Sequence, residues 1–166
     1  MKKCLIAVLL LVAPVFAQAP VKDQAETALN AAGCGPSQVL FNLTVDKNQH
    51  PIAQPEAGKA LVYVINSIGL PMKIGLDGSW AGATRGGTYL YFSVDPGDHH
   101  LCMSEQGDHL VGSATSFSAA TGHAYYFQSS SREGSGWQSW DLKAIDPAKG
   151  LFLIASSPLS TARVKK

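Results

Sequence analysis

The chain of 166 residues reads as an all-β protein, an antiparallel β-sandwich with a short helix at each end. Three observations point there. Strand-like runs and turn signals alternate at about eight to twelve residues per unit from residue 37 onward. The first such run, "VLFNLTV", alternates strictly, placing Val39, Phe41, Leu43 and Val45 on one face and Leu40, Asn42 and Thr44 on the other. Sixteen glycines supply the turns such a fold needs.

Ahead of the strands, "MKKCLIAVLLLVAPVFAQAP" has two lysines, an apolar run from Leu5 to Phe16 and the small-residue pattern Ala17-Gln18-Ala19. This is the layout of a secretory signal peptide over residues 1–19, cleaved after Ala19, and the run is too short for a spanning helix. Cys4 precedes the apolar run, whereas an acylated lipoprotein cysteine follows it. Residues 20–36 form an N-terminal helix or linker: in "VKDQAETALNAAGCG" Asp23 can cap, Glu26 completes a capping box and Gly33 can end the helix.

The sandwich is expected over 37–157. "DKNQHPIAQPEAG" is a loop by its prolines and polarity, and "KALVYVINS" is apolar on both faces, which marks a central strand. "MKIGLDG" ends on Asp77-Gly78, a favoured hairpin dipeptide. "SWAGATRGG", with a hairpin turn at Gly86-Gly87, leads into the aromatic and β-branched "TYLYFSV". Asp95-Pro96-Gly97-Asp98 then turns the chain into "HHLCMSE", with proline second and glycine third as a type II turn requires. "QGDH", "AATG" and "REGSG" separate "LVGSATSFS", "HAYYFQSSS" and "WQSWDLKAI". Asp146 can cap, and Pro147 suits the first turn of, a C-terminal helix through "AKGLFLIASS", which Gly150 weakens. Residues 158–166 are expected to be a flexible tail.

Removing residues 1–19 takes away two lysines and no acid, so 13 basic and 12 acidic residues become 11 against 12, a formal charge of −1. A near-neutral surface without a basic run argues against nucleic acid or anionic lipid as partner. No second long apolar run follows, so no transmembrane segment is expected after cleavage. Two cysteines are left, Cys34 and Cys102, and an even pair in an oxidising compartment reads first as a disulfide, with two buried thiols as the alternative.

The most chemical stretch is "YFSVDPGDHHLC". Side chains alternate along a strand, so His99 and His100 point to opposite faces and cannot share one metal without a bulge. His99 runs with Leu101 and Met103, an inward face with a histidine at its edge; His100 runs with Cys102. Two ligands are too few for zinc, and Asp108 and His109 from the next turn are the residues that could complete a site with His100. No Gly-x-Ser-x-Gly elbow, phosphate-binding glycine loop or singled-out carboxylate pair is present, so no catalytic set and no cofactor is expected. Trp80, Trp137 and Trp140 are the aromatic candidates for a contact surface with a sugar or peptide. Asn42-Leu43-Thr44 matches a glycosylation acceptor by coincidence of a strand pattern.

"IGLDGSWAGATRGGTYLYFSVDPGDHHLCM" resembles the PEGA-type domain at Ile74, Asp77, Gly78, Gly82, Pro96, Gly97, His99 and Leu101. The chain is also similar to a secreted bacterial family known only as a domain of unknown function, through Cys34-Gly35, "GKALVYV", "VDPGDHHLC" and "FSAATGHAYYF". The resemblance spans Gly33 to Phe127 and implies a transthyretin- or immunoglobulin-like sandwich of the bacterial envelope, periplasmic or secreted. It carries over no catalytic or binding residue. The expected function is a non-enzymatic binding or accessory module, its partner an envelope protein, a glycan or peptidoglycan. A metal-binding protein and a small hydrolase are the alternatives.

Overall fold

The computed structural model describes residues 34–36, 38–107, 112–134 and 137–166, with the side chains of 132–138 outside the description. The expected signal peptide and the helix from Asp23 to Gly33 lie outside the described residues. Among the described residues ten strands follow in the order β1 (Phe41–Asp46), β2 (Ala60–Asn66), β3 (Met72–Leu76), β4 (Ser79–Thr84), β5 (Thr88–Val94), β6 (Gly97–Glu105), β7 (Ser113–Ala119), β8 (Ala124–Gly134), β9 (Trp137–Ile145) and, after helix α1 (Pro147–Ser156), β10 (Leu159–Val164). They form a six-stranded sheet, β1-β10-β5-β2-β8-β9, and a four-stranded sheet, β4-β3-β6-β7. The all-β, two-sheet architecture is the one the strand spacing predicts.

Alternation explains each layer. On β2 the set Val62 and Val64 faces the four-stranded sheet, where it meets Met72, Ile74, Leu101 and Met103 in the main core. The set Leu61, Tyr63 and Ile65 faces the other way and is buried with Tyr89, Tyr126 and Ile154 of α1. All seven residues of β2 are therefore buried, which is what a strand apolar on both faces requires. The helix forms where its capping signals lie: Asp146 Oδ1 accepts from Lys149 N–H at 2.9 Å, with Pro147 in the first turn. Gly150 is no weakness there. A Cβ at that position would stand 2.4 Å from Tyr126 Cδ1, so the glycine lets the helix backbone rest on the ring.

Three expectations are corrected. The sandwich is not wholly antiparallel: β2 and β8 run parallel from Leu61↔Ala124 to Asn66↔Ser129, and β10 meets β5 in parallel at Leu159↔Tyr89. Second, Asp95-Pro96-Gly97 and Gly86-Gly87 are not hairpins but arches, because β4 and β6 belong to one sheet and β5 to the other. A Pro-Gly or Gly-Gly dipeptide reverses a chain in either setting, and which strand pairs with which depends on distant partners. Third, residues 158–166 are not a frayed tail. β10 pairs antiparallel with β1 along its whole length, Phe41↔Val164 to Asp46↔Leu159. Its sequence, LSTARV, has little strand character alone and takes its order from the edge β1 offers.

Candidate functional site

The arch between β5 and β6 gathers the conspicuous residues of the sequence. The pleat separates the two histidines as the period of two demands. His99 lies opposite Phe117 of β7 and packs on its ring at 5.4 Å, whereas His100 lies opposite Ser116 on the solvent side.

His99 is held from both ends. Its Nε2 is 2.7 Å from the Asp95 carbonyl, which can only accept, so this nitrogen carries a proton. Its Nδ1 is 2.7 Å from Asp77 Oδ2. Both contacts are satisfied together when the ring is an imidazolium donating to a carbonyl and a carboxylate. Burial, the largest single influence, pushes the imidazole pKa down, but the bonds and charges of Asp77 and Asp95 outweigh it and the net shift is upward. Burial also pushes the Asp77 carboxyl up. The His100 backbone N–H and the His99 ring outweigh it, and the net shift is downward.

Asp77 is the hub that its role as a turn residue conceals. It takes φ 49° in the Asp77-Gly78 turn, a conformation aspartate tolerates better than most residues. From there Oδ1 accepts from His100 N–H at 2.8 Å, Oδ2 meets His99, and its own N–H donates to the His100 carbonyl at 2.9 Å. The turn of one hairpin is thereby tied to the arch that joins the two sheets. The only sequence signal for this was an aspartate, rather than asparagine, ahead of the turn glycine.

On the solvent side a polar ladder crosses β6 and β7. Ser116 Oγ and His100 Nδ1 share a hydrogen bond of 2.9 Å, and Ser118 Oγ donates to Asp98 Oδ1. The ladder lines an open groove of about 360 Å³. These bonds run between strands, so Asp98 is engaged with Ser118 and not with the imidazole. Asp98, His100 and Ser116 therefore do not form the acid–imidazole–hydroxyl relay of nucleophilic catalysis. Asp108 and His109, the residues proposed to complete a metal set with His100, lie outside the described residues. Among the described residues no group of three or more histidine, cysteine, aspartate or glutamate side chains could hold a metal ion.

Cys34 and Cys102 are joined as a disulfide, their Cα atoms 5.5 Å apart. Cys102 shares the outer face of the four-stranded sheet with Lys73 and Gly75, and the bond pins residues 34–36 against that face. The fit is close: a Cβ on Gly75 would stand 2.2 Å from the Cys34 carbonyl oxygen. Trp80, half-buried, is part of the same cover. Its Nε1 donates to the Pro36 carbonyl at 2.8 Å, and its ring lies 4.5 Å from the ammonium of the buried Lys73. Trp140 is half-buried against the main core, and the Trp137 side chain lies outside the described ones. Asn42 is exposed on β1.

No family model, curated protein or solved structure matches the chain.

Proposed function

We propose that the chain is a non-enzymatic binding or accessory module of the bacterial cell envelope, exported through the segment that precedes Pro20. The reading rests on one observation: among the described residues, the side chains of Cys34, Asp77, Trp80, His99 and Cys102 are engaged in holding the fold. His99 and Asp77 clamp the arch, Cys34 and Cys102 pin the cover, and Trp80 roofs Lys73. A disulfide between the two cysteines suits an oxidising compartment. Within this reading the sandwich is of transthyretin- or immunoglobulin-like type, near the PEGA pattern that Asp77, Pro96, Gly97 and His99 resemble.

The test is to export the chain in a bacterial host, sequence the product's N-terminus, and incubate it with peptidoglycan, surface glycans and envelope extract. A start at Pro20 and saturable binding without turnover are expected. Labelling of Ser116 by a fluorophosphonate probe, or stoichiometric zinc or copper by elemental analysis, overturns the reading.

A further inference from the structure

We propose that the open seam between β5 and β10 is a slot for an extended peptide segment of a partner protein, taken up by strand addition onto the free edge of β5. The inference rests on the binding-module reading and deepens it.

The two sheets meet along two seams. On one side β7 and β9 close against each other, with Leu142 N–H donating to Ser113 Oγ at 3.1 Å. On the other side β10 touches β5 at one register only, where Tyr89 N–H donates to the Pro158 carbonyl at 3.1 Å. It then leaves β5 and leans toward β4, where Ser160 Oγ meets the Ala83 carbonyl at 3.5 Å. The divergence opens a groove of about 320 Å³ between Ala81–Ala83, Leu90–Tyr91 and Leu159–Ala162.

The backbone of β5 determines what fits. In an antiparallel pair, alternate residues turn their N–H and C=O toward the partner and away from it. Tyr89 turns away from β2, since its N–H goes to Pro158. Leu61, opposite Ser93, donates its N–H to the His123 carbonyl on the β8 side, so that pair also turns outward. Tyr91 and Ser93 share this parity. Each therefore presents one N–H and one C=O on the β10 side, beyond the single β5–β10 register, Tyr91 within the lining of the groove and Ser93 just beyond it.

Two donor–acceptor pairs, two residues apart along a strand, match the repeat of another extended backbone. The lining is uncharged, with the small Ala81, Gly82 and Ala83 on one side and Ser160, Thr161 and Ala162 on another, and Leu90, Tyr91 and Leu159 completing it. They favour a neutral segment with glycine, alanine or serine at the positions facing β4. The volume is at the lower end of the ~300–1,000 Å³ typical of binding clefts, so the slot takes a few residues of strand and no more.

Amide hydrogen exchange on the oxidised full chain tests the vacancy. Tyr91 and Ser93 are expected to exchange at least about tenfold faster than Leu90 and Phe92, whose N–H groups face β2. Equal protection at all four overturns the inference. A displayed library of short random peptides, panned on the same protein, tests the occupant. Recovered peptides are expected to protect Tyr91 and Ser93, and Ser93→Pro is expected to weaken them about tenfold, because it removes a donor that faces the seam and not β2. If that variant does not fold, Ala162→Phe, which narrows the groove from β10, must produce the same loss. Peptides that bind with Tyr91 and Ser93 unprotected, or no recovered peptide at all, overturn the slot while saturable peptidoglycan or glycan binding still upholds the module. Cleavage of a peptide that protects Tyr91 and Ser93 overturns the module and leaves the slot.

Discussion

The outer faces of the two sheets are closed by opposite means. On the six-stranded sheet the cover is apolar: α1 lays Ile154 onto a cluster of Tyr63, Tyr89 and Tyr126, with Gly150 bringing backbone and ring together. Two of the hydroxyls have backbone partners, Tyr63 with Ala53 and Tyr89 with the Pro51 carbonyl, while burial pushes the Tyr89 pKa up to about 12. On the four-stranded sheet the described part of the cover, residues 34–36, is held by a disulfide, a tryptophan hydrogen bond and a cation under an indole. A helix with an apolar face can stay in place by burial alone. Residues 34–36 are tied to their sheet by a covalent bond, whose hold does not depend on apolar area.

Of these contacts the disulfide contributes most. Replacing Cys34 and Cys102 together by alanine removes a cross-link across a sequence separation of 68 residues. A loss of roughly 4 kcal/mol is expected on the chain-entropy model, read as a shift of the urea midpoint. A loss below about 1 kcal/mol would mean that residues 34–36 stay docked without it. On the other face, Gly150→Ala puts a methyl group 2.4 Å from Tyr126 Cδ1. Overpacking of that kind costs about 1–3 kcal/mol, and thermal denaturation with near-ultraviolet circular dichroism of the tyrosines would register both the loss and its place. An unchanged melting temperature would show that the helix can lift without penalty.

The clamp below the arch sharpens the contrast with pH. The His99 pKa is raised on folding, so its stabilisation is complete below the ordinary value of 6.5 and is lost as pH rises through the folded value. The Asp77 pKa is lowered, so its stabilisation is complete above 3.8 and is lost as pH falls through its folded value. The clamp is strongest between those limits. Asp77→Asn keeps a residue suited to the turn and an oxygen for His100 N–H but removes the charge. With the Asp77 side chain 45% exposed, screening holds the expected loss to about 1 kcal/mol within that window, fading above it. An NMR titration should show the His99 pKa falling in this variant; an unmoved titration would break the clamp. The smallest effect belongs to the solvent-side ladder. His100→Ala is expected to change stability by less than about 0.5 kcal/mol, since an exposed side chain with one neutral partner contributes little. A larger loss would assign the ladder a structural role equal to that of the clamp.

Much of the architecture was legible locally. Alternation located β1, the run of apolar residues on both faces marked β2 as central, and Asp146-Pro147 announced α1 to within a residue. The parting of His99 from His100 was also legible, because the strand period is a property of the backbone. The aspartate that binds both halves of the arch was not. Asp77 precedes His99 by 22 residues, and only the β3–β6 register, Leu76↔Leu101, brings them side by side. The final strand was missed for a related reason. Ser160, Thr161 and Ala162 gain strand structure by pairing with Val45, Thr44 and Leu43, an interaction no local pattern announces.

Local sequence set the strands through β9, the central position of β2, the capped helix α1 and the turn residues, because periodicity, capping and φ preferences act over a few neighbouring residues. Tertiary structure alone decided that Asp95-Pro96-Gly97 is an arch and not a hairpin, that β2 and β8 run parallel, and that β10 opens a seam beside β5. Those outcomes depend on which edges remain unpaired after the rest of the chain has packed, and edges are a property of the assembled sheets.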